Sequence, residues 1–307
     1  MSENSPSLIE AFKPDEEKIL SPFPEKAIID YEKANKWIEA ETDERFRKIK
    51  QKLVDNVNYV DFATFRSGLD SSITKFNELI SESDDPYAVL WDYKPHSSKK
   101  WTYGLIESTL IRKPDVASYF SQGAENKILV VDKLLDKDIT KIAIIDDAAY
   151  SGEQILNKSL IPIVKKFKEK YPEKIPEFFI VIPFVTEVFK EKIEEFRKIN
   201  PDCKVNLIYS KTMPIIEDIL SDEDFEIMKE RNGSIEIDSD EPIIKKNTIT
   251  FFDHRVADDH SFAPEIGKIL NIKYEKPYGD AKTKYSEKEK RDFERYWEPF
   301  LDSVRIG

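Results

Sequence analysis

The sequence predicts an α/β protein built on a mostly parallel sheet, and three observations carry that expectation. Short, continuously apolar runs at 87–91 (YAVLW), 141–145 (KIAII), 178–184 (FFIVIPF) and 205–209 (VNLIY) lack the alternation of a half-exposed strand. Strands of this kind are buried on both faces. Segments with helical spacing separate them at 101–113, 153–170 and 185–199, the alternation expected of crossover-connected parallel strands. One strand, finally, ends in two acids that lead through a short turn into a helix.

Around this core the elements read in order. Residues 24–82 are rich in Glu, Lys and Ala, with Ile28, Tyr31, Trp37, Ile38, Phe46, Ile49 and Leu53 at roughly helical spacing, so two or more amphipathic helices are expected. The break Ser-Asp-Asp-Pro at 83–86 sets a boundary near residue 85. The polar stretch 92–100 (DYKPHSSKK) reads as a loop and 116–120 as a further strand. Beyond the core, 214–231 reads as a helix, 248–252 (TITFF) as a strand and 286–304 as a closing helix. The organisation expected is a helical N-terminal region (1–85), the sheet core (86–212) and an α+β C-terminal addition (213–307).

Composition limits the function classes. The 307 residues suffice for a sizeable core, and the formal charge of −12 opposes general binding to nucleic acid or anionic membrane, which needs a positive field. No apolar run approaches the roughly 18 residues of a bilayer span, and the N-terminus does not read as a cleavable signal. The expectation is a cytoplasmic protein without membrane insertion, and export as an effector by a route without a cleavable signal gives the same sequence pattern. A single cysteine, Cys203, excludes an internal disulfide and a cysteine-based zinc cluster.

The chemistry concentrates in KIAIIDDAAYSGEQIL, residues 141–156. A parallel strand delivers its last residues to the sheet edge where ligands of open α/β sheets bind, which places Asp146 and Asp147 there. The turn and helix start after them present backbone N–H groups and the positive end of a helix dipole, suited to an anion. Gly152 lets the backbone come close and Ser151 adds a hydroxyl donor. Acceptor-only carboxylates beside an anion site fit a sugar phosphate. Receiver-type strands also end in two acids, but they need another Asp at the end of a later strand, and neither FFIVIPFV nor VNLIYSK supplies one.

The same string resembles the signature of type I phosphoribosyltransferases: four apolar residues, two acids and a small-residue loop. The resemblance spans about residues 87–210 and is specific mainly in 146–154. It implies a sheet of phosphoribosyltransferase type. It further implies that Asp146 and Asp147 hold the ribose hydroxyls as the catalytic pair, while Ala148, Ala149, Tyr150, Ser151, Gly152, Glu153 and Gln154 form the phosphoribosyl-binding loop. Glu153 departs from the pattern, because a carboxylate about 5 Å from a phosphate costs about 3 kcal/mol at an effective dielectric of 20. Its side chain must therefore point away, or the loop binds something else. Gln154 replaces a usual Thr, and Tyr150 stands where the hypoxanthine-guanine branch has an acid.

On the same resemblance, Ser97, Ser98, Lys99 and Lys100 follow the first strand where the family grips pyrophosphate, and 121–140 occupies the place of a closing flap. That stretch includes KILVVDKLL, too apolar for a solvated lid, so an extra strand or a packed flap is expected. In FFDHRVADDHSF (251–262), Arg255 and Asp258 are candidates for acceptor binding. The activity implied is binding of phosphoribosyl pyrophosphate, or another ribose 5-phosphate ligand, and glycosyl transfer to an acceptor with release of pyrophosphate. Mg2+ would ride mainly on that pyrophosphate, with Asp146 and Asp147 nearby as indirect ligands. A non-catalytic phosphoribosyl sensor, a protein-binding module on the same core, a hydrolase using water as acceptor, and assembly as a homodimer or with a protein partner stay open.

Overall fold

The computed structural model describes residues 31–92, 98–120, 131–230 and 246–252. Five parallel strands form the central sheet: β2 (Tyr87–Asp92), β3 (Val116–Phe120), β4 (Lys141–Ile145), β6 (Glu177–Val181) and β8 (Val205–Ile208), in the order β3-β2-β4-β6-β8. The α/β class with a mostly parallel sheet is thus the observed one. Strand β4 is paired on both sides, with Ile144 opposite Leu90 of β2 and Ile180 of β6.

Side chains alternate across the pleat, and two apolar clusters therefore form, one on each face. On the first face, Ala88, Leu90, Ile142, Ile144, Phe178 and Ile180 meet the helical run after β4 and helix α7 (Glu187–Ile199). That run consists of α5 (Glu153–Ile155), a π-helical turn (Leu156–Leu160) and α6 (Ile161–Lys170). A continuous α-helix was expected over 153–170. Pro162 has no N–H and its ring crowds the carbonyl one turn back, which accounts for the widened turn just before it.

On the second face, Tyr87, Val89, Ala143, Ile145, Phe179 and Val181 meet Phe65, Leu69, Ile73, Phe76 and Ile80 of α3 (Phe62–Ser81), and Tyr103 and Ile106 of α4 (Ser98–Ile106). Residues on both sides of position 85 thus share one cluster. Phe76 meets Tyr87 and Phe179 edge-on, with ring centroids 6.0 and 5.7 Å apart. A Cβ at Gly68 would lie 3.0 Å from the Phe184 ring, so glycine lets α3 approach the sheet there. Asp61 caps α3 by accepting from Thr64 N at 2.7 Å.

Several elements differ from their sequence expectations. The run 178–184 is interrupted at Ile182-Pro183 and resumes as β7 (Phe184–Thr186), and 205–209 ends at Ile208 and resumes as β9 (Lys211–Met213). Together with β5 (Ala148–Ala149) these form a second parallel sheet, β5-β7-β9. The helix expected over 214–231 is two: α8 (Ile216–Ile219) and α9 (Asp222–Lys229). Ser221 breaks the run by capping α9, in a reciprocal box with Asp224. Residues 131–136 are helical rather than an extra strand, with Val131 and Leu134 in the core. Strand β10 (Thr250–Phe252) pairs in parallel with β1 (Asn58–Val60), a strand the helical reading of 24–82 did not contain. The helix expected at 286–304 lies outside the described residues, among which no helix is long and apolar enough to cross a membrane.

After α1 (Tyr31–Glu39), helix α2 (Glu44–Asp55) is tied by charge to α9 and the residue that follows it. Lys52 of α2 lies 2.7 Å from Asp224, and Arg45 lies 2.8 Å from Glu230. Burial pushes the Asp224 carboxyl up, but the Lys52 ammonium and the Ser221 donors outweigh it and hold the group below the usual carboxylate range. A depressed folded-state value contributes stability above the unfolded one, and the contribution is lost as pH falls through the folded one. Asp224→Asn is therefore expected to lose about 1 kcal/mol near neutral pH. Urea denaturation of both proteins as a function of pH should show that gap closing as pH falls below about 4.

Candidate functional site

The site is built from the broken end of β4. Its last ladder bond is Asp146 N–H to the Val181 carbonyl at 3.3 Å. Asp146 and Asp147 then occupy the two-residue interruption before β5, and Asp147 N–H donates to Asp146 Oδ1 at 3.0 Å. Both acids are buried, at 4% and 2% exposure. Neighbouring carboxylates in such a setting repel one another and lose hydration, so a nearby cation matters.

Lys99 provides that cation. The sequence reading placed it in a polar turn, whereas it lies in the first turn of α4 with only 3% exposure. Its Nζ lies 3.8 Å from Asp146 Oδ2. Helix α4 is held against β2 by Tyr103, whose ring stacks on Trp91 with centroids 4.5 Å apart and planes 17° apart. Asp146 and Lys99 thus meet at the ends of the adjacent strands β2 and β4, where the strand order reverses.

The loop after the acids is fixed from below by α7. Thr186 caps that helix by accepting from Phe189 N–H at 3.2 Å, and its hydroxyl also donates to the Tyr150 carbonyl. Gly152 is left-handed, with φ at 69°, and a Cβ there would lie 1.9 Å from Cδ2 of the buried Phe189 ring. The sequence reading assigned Gly152 to close approach of a ligand. The structure supplies two further reasons, a positive φ and contact with Phe189. Ser151 is buried, and its Oγ accepts from Glu153 N–H at 3.4 Å. Glu153 and Gln154 are both exposed. Ala148 and Ala149 are buried in β5, and Tyr150 is half-buried against the second apolar cluster.

The other expected residues separate into two groups. Ser98 and Lys100 fall within α4 beside Lys99. Ser97, Arg255 and Asp258 lie outside the described residues. Cys203 is buried and its thiol is pushed up to about 12 by that burial, so it is no nucleophile near neutral pH. Thr186 and Phe189 were missed. The string Thr-Glu-Val-Phe after an apolar strand is a legible helix start, but its contact with the Tyr150–Gly152 turn depends on tertiary structure.

Two oxygen-bearing acids suit magnesium in ligand type, yet Lys99 already stands beside one of them, and the described residues contain no group of three His, Cys, Asp or Glu placed to hold a metal. An ammonium at that distance repels a magnesium ion placed directly on Asp146. An ionised carboxylate accepts hydrogen bonds and donates none, and these two lie next to a turn of defined shape.

The loop's dependence on Gly152 and Thr186 can be measured. Gly152→Ala adds backbone strain and overpacking against Phe189, with an expected loss of about 2–4 kcal/mol. Thr186→Val removes the bond to Tyr150 and the cap, with an expected loss of about 1–2 kcal/mol, while Thr186→Ser stays near wild type. Equilibrium denaturation gives all three values, and an unchanged Gly152→Ala would show that the loop is not held as described.

No family model, curated protein or solved structure matches the chain, so the reading of this site rests on its own residues and geometry.

Proposed function

We propose that the chain is a divergent phosphoribosyltransferase-like protein that binds phosphoribosyl pyrophosphate, or another ribose 5-phosphate ligand, at the end of β4. It transfers the phosphoribosyl group to an acceptor and releases pyrophosphate. The observation that carries this reading is the buried pair of Asp146 and Lys99, with Asp147 next in the chain, at the point where the strand order reverses. Numbered along the chain, the five strands run 2-1-3-4-5, and ligands of such sheets bind at the crevice between the first and third. That order is shared by folds of several functions, so the weight falls on the acids and the turn, not on the sheet.

In this reading the ribose hydroxyls donate to Asp146 and Asp147, and the turn at 150–153 faces the 5′-phosphate. The bond between the anomeric carbon and pyrophosphate breaks, its electron pair leaving with the pyrophosphate, and a lone pair of the acceptor forms the new bond. Positive charge builds on the sugar between these events, and fixed carboxylates favour it. Magnesium enters as part of the substrate, bound to its diphosphate.

The test has two parts. Calorimetry with ribose 5-phosphate and with magnesium phosphoribosyl pyrophosphate should give dissociation constants of about 1 mM or tighter, and absence of both signals contradicts the site. Pyrophosphate release with bases, amines or water as acceptor should fall at least about 100-fold in Asp146→Asn/Asp147→Asn, which is nearly isosteric. Tight binding without release for any acceptor would replace transfer by sensing of the ligand.

A further inference from the structure

Lys99 and Asp146 are both almost fully buried, and their charged atoms are 3.8 Å apart. A buried ammonium is strongly disfavoured without a counter-charge, and so is a buried carboxylate. Each therefore stabilises the charge of the other. The lysine's helix is also fixed. Tyr103 is stacked on Trp91, and Ile106 is fully buried against the sheet. Withdrawal of Lys99 from Asp146 would strand its charge in the core rather than release it to water.

We infer that Lys99 is the resident counter-cation of Asp146 and determines what the acid pair accepts: it keeps a free divalent cation off Asp146 and Asp147 and leaves them as acceptors for ligand hydroxyls. With Lys99 present, the three groups carry a formal charge of −1. Without it they would carry −2, on adjacent oxygen ligands that suit a hard divalent ion. An ion bound at Asp146 in the wild-type protein would stand against the ammonium or displace it into an apolar surrounding. Exclusion of a free cation is argued from the Lys99–Asp146 pair, whereas the identity of the hydroxyl-bearing ligand rests on the function proposed above.

Electron paramagnetic resonance of Mn2+ titrated into the full chain tests the inference. The wild type should show no site tighter than about 1 mM that Asp146→Asn removes. Lys99→Met should gain a site at least about 10-fold tighter than any in the wild type. Lys99→Arg should behave as wild type, and Lys99→Met/Asp146→Asn should lose the gained site. A folded Lys99→Met that binds Mn2+ no better than wild type overturns the inference, as does a wild-type site abolished by Asp146→Asn. If Lys99→Met does not fold, the comparison of wild type with Asp146→Asn decides alone. Calorimetry of ribose 5-phosphate in EDTA separates the two claims. Failure to bind the sugar phosphate counts against the proposed function and leaves the Mn2+ result standing.

Discussion

Strand β4 is hydrogen-bonded on both sides and buried on both faces, and this double constraint fixes where the site can be. Parallel pairing with β2 and β6 sets its register, while Ile142 and Ile144 face one apolar cluster and Ala143 and Ile145 the other. A one-residue slip would exchange the two faces along the whole strand. Asp146 and Asp147 therefore emerge at a defined height. They do so at a level where the next two strands of the sheet, β6 and β8, also break, at Ile182-Pro183 and at Tyr209-Ser210. Bonds across the breaks hold these levels together: Ile182 N–H donates to the Ile208 carbonyl at 2.9 Å, and Ser210 N–H to the Pro183 carbonyl at 3.1 Å. Beyond them the chain resumes as the small sheet β5-β7-β9, which carries the loop.

Rigidity of the site comes from side chains that touch no ligand in the proposed reading. Thr186 joins the loop to the start of α7, Phe189 packs under Gly152, and the Trp91–Tyr103 stack holds the helix that carries Lys99. Preorganised polar groups act most strongly where water is excluded and the groups need not move during reaction. Burial of Asp146, Asp147 and Lys99 meets that condition, and it also explains why an ammonium stands beside a carboxylate there.

Much of the core was legible because parallel strands covered on both faces leave unbroken apolar runs. The runs at 116–120 and 141–145 coincide with β3 and β4, and the acid pair stands at the strand end where the string placed it. What was not legible depends on distant partners. The break at 182–183 follows from Pro183 together with pairing to β8, and a window on FFIVIPF reads simply as one strand. The three residues of β1 form a strand because they pair with β10, about 190 positions away in sequence. Lys99 was expected in a polar loop gripping pyrophosphate, because DYKPHSSKK reads as a loop ahead of the helix. Its burial beside Asp146 comes from α4 docking on the sheet, which no local pattern encodes.

The central claim is that the acids at the end of β4 hold the hydroxyls of a sugar phosphate whose phosphate sits at the following turn. A crystal structure of the protein soaked with ribose 5-phosphate tests this most directly. The account predicts ribose hydroxyls within about 3 Å of the Asp146 and Asp147 carboxylates and the phosphate against the backbone of residues 150–153. Ribose 5-phosphate bound elsewhere, or bound with its phosphate at Lys99 and its hydroxyls away from both acids, would contradict it.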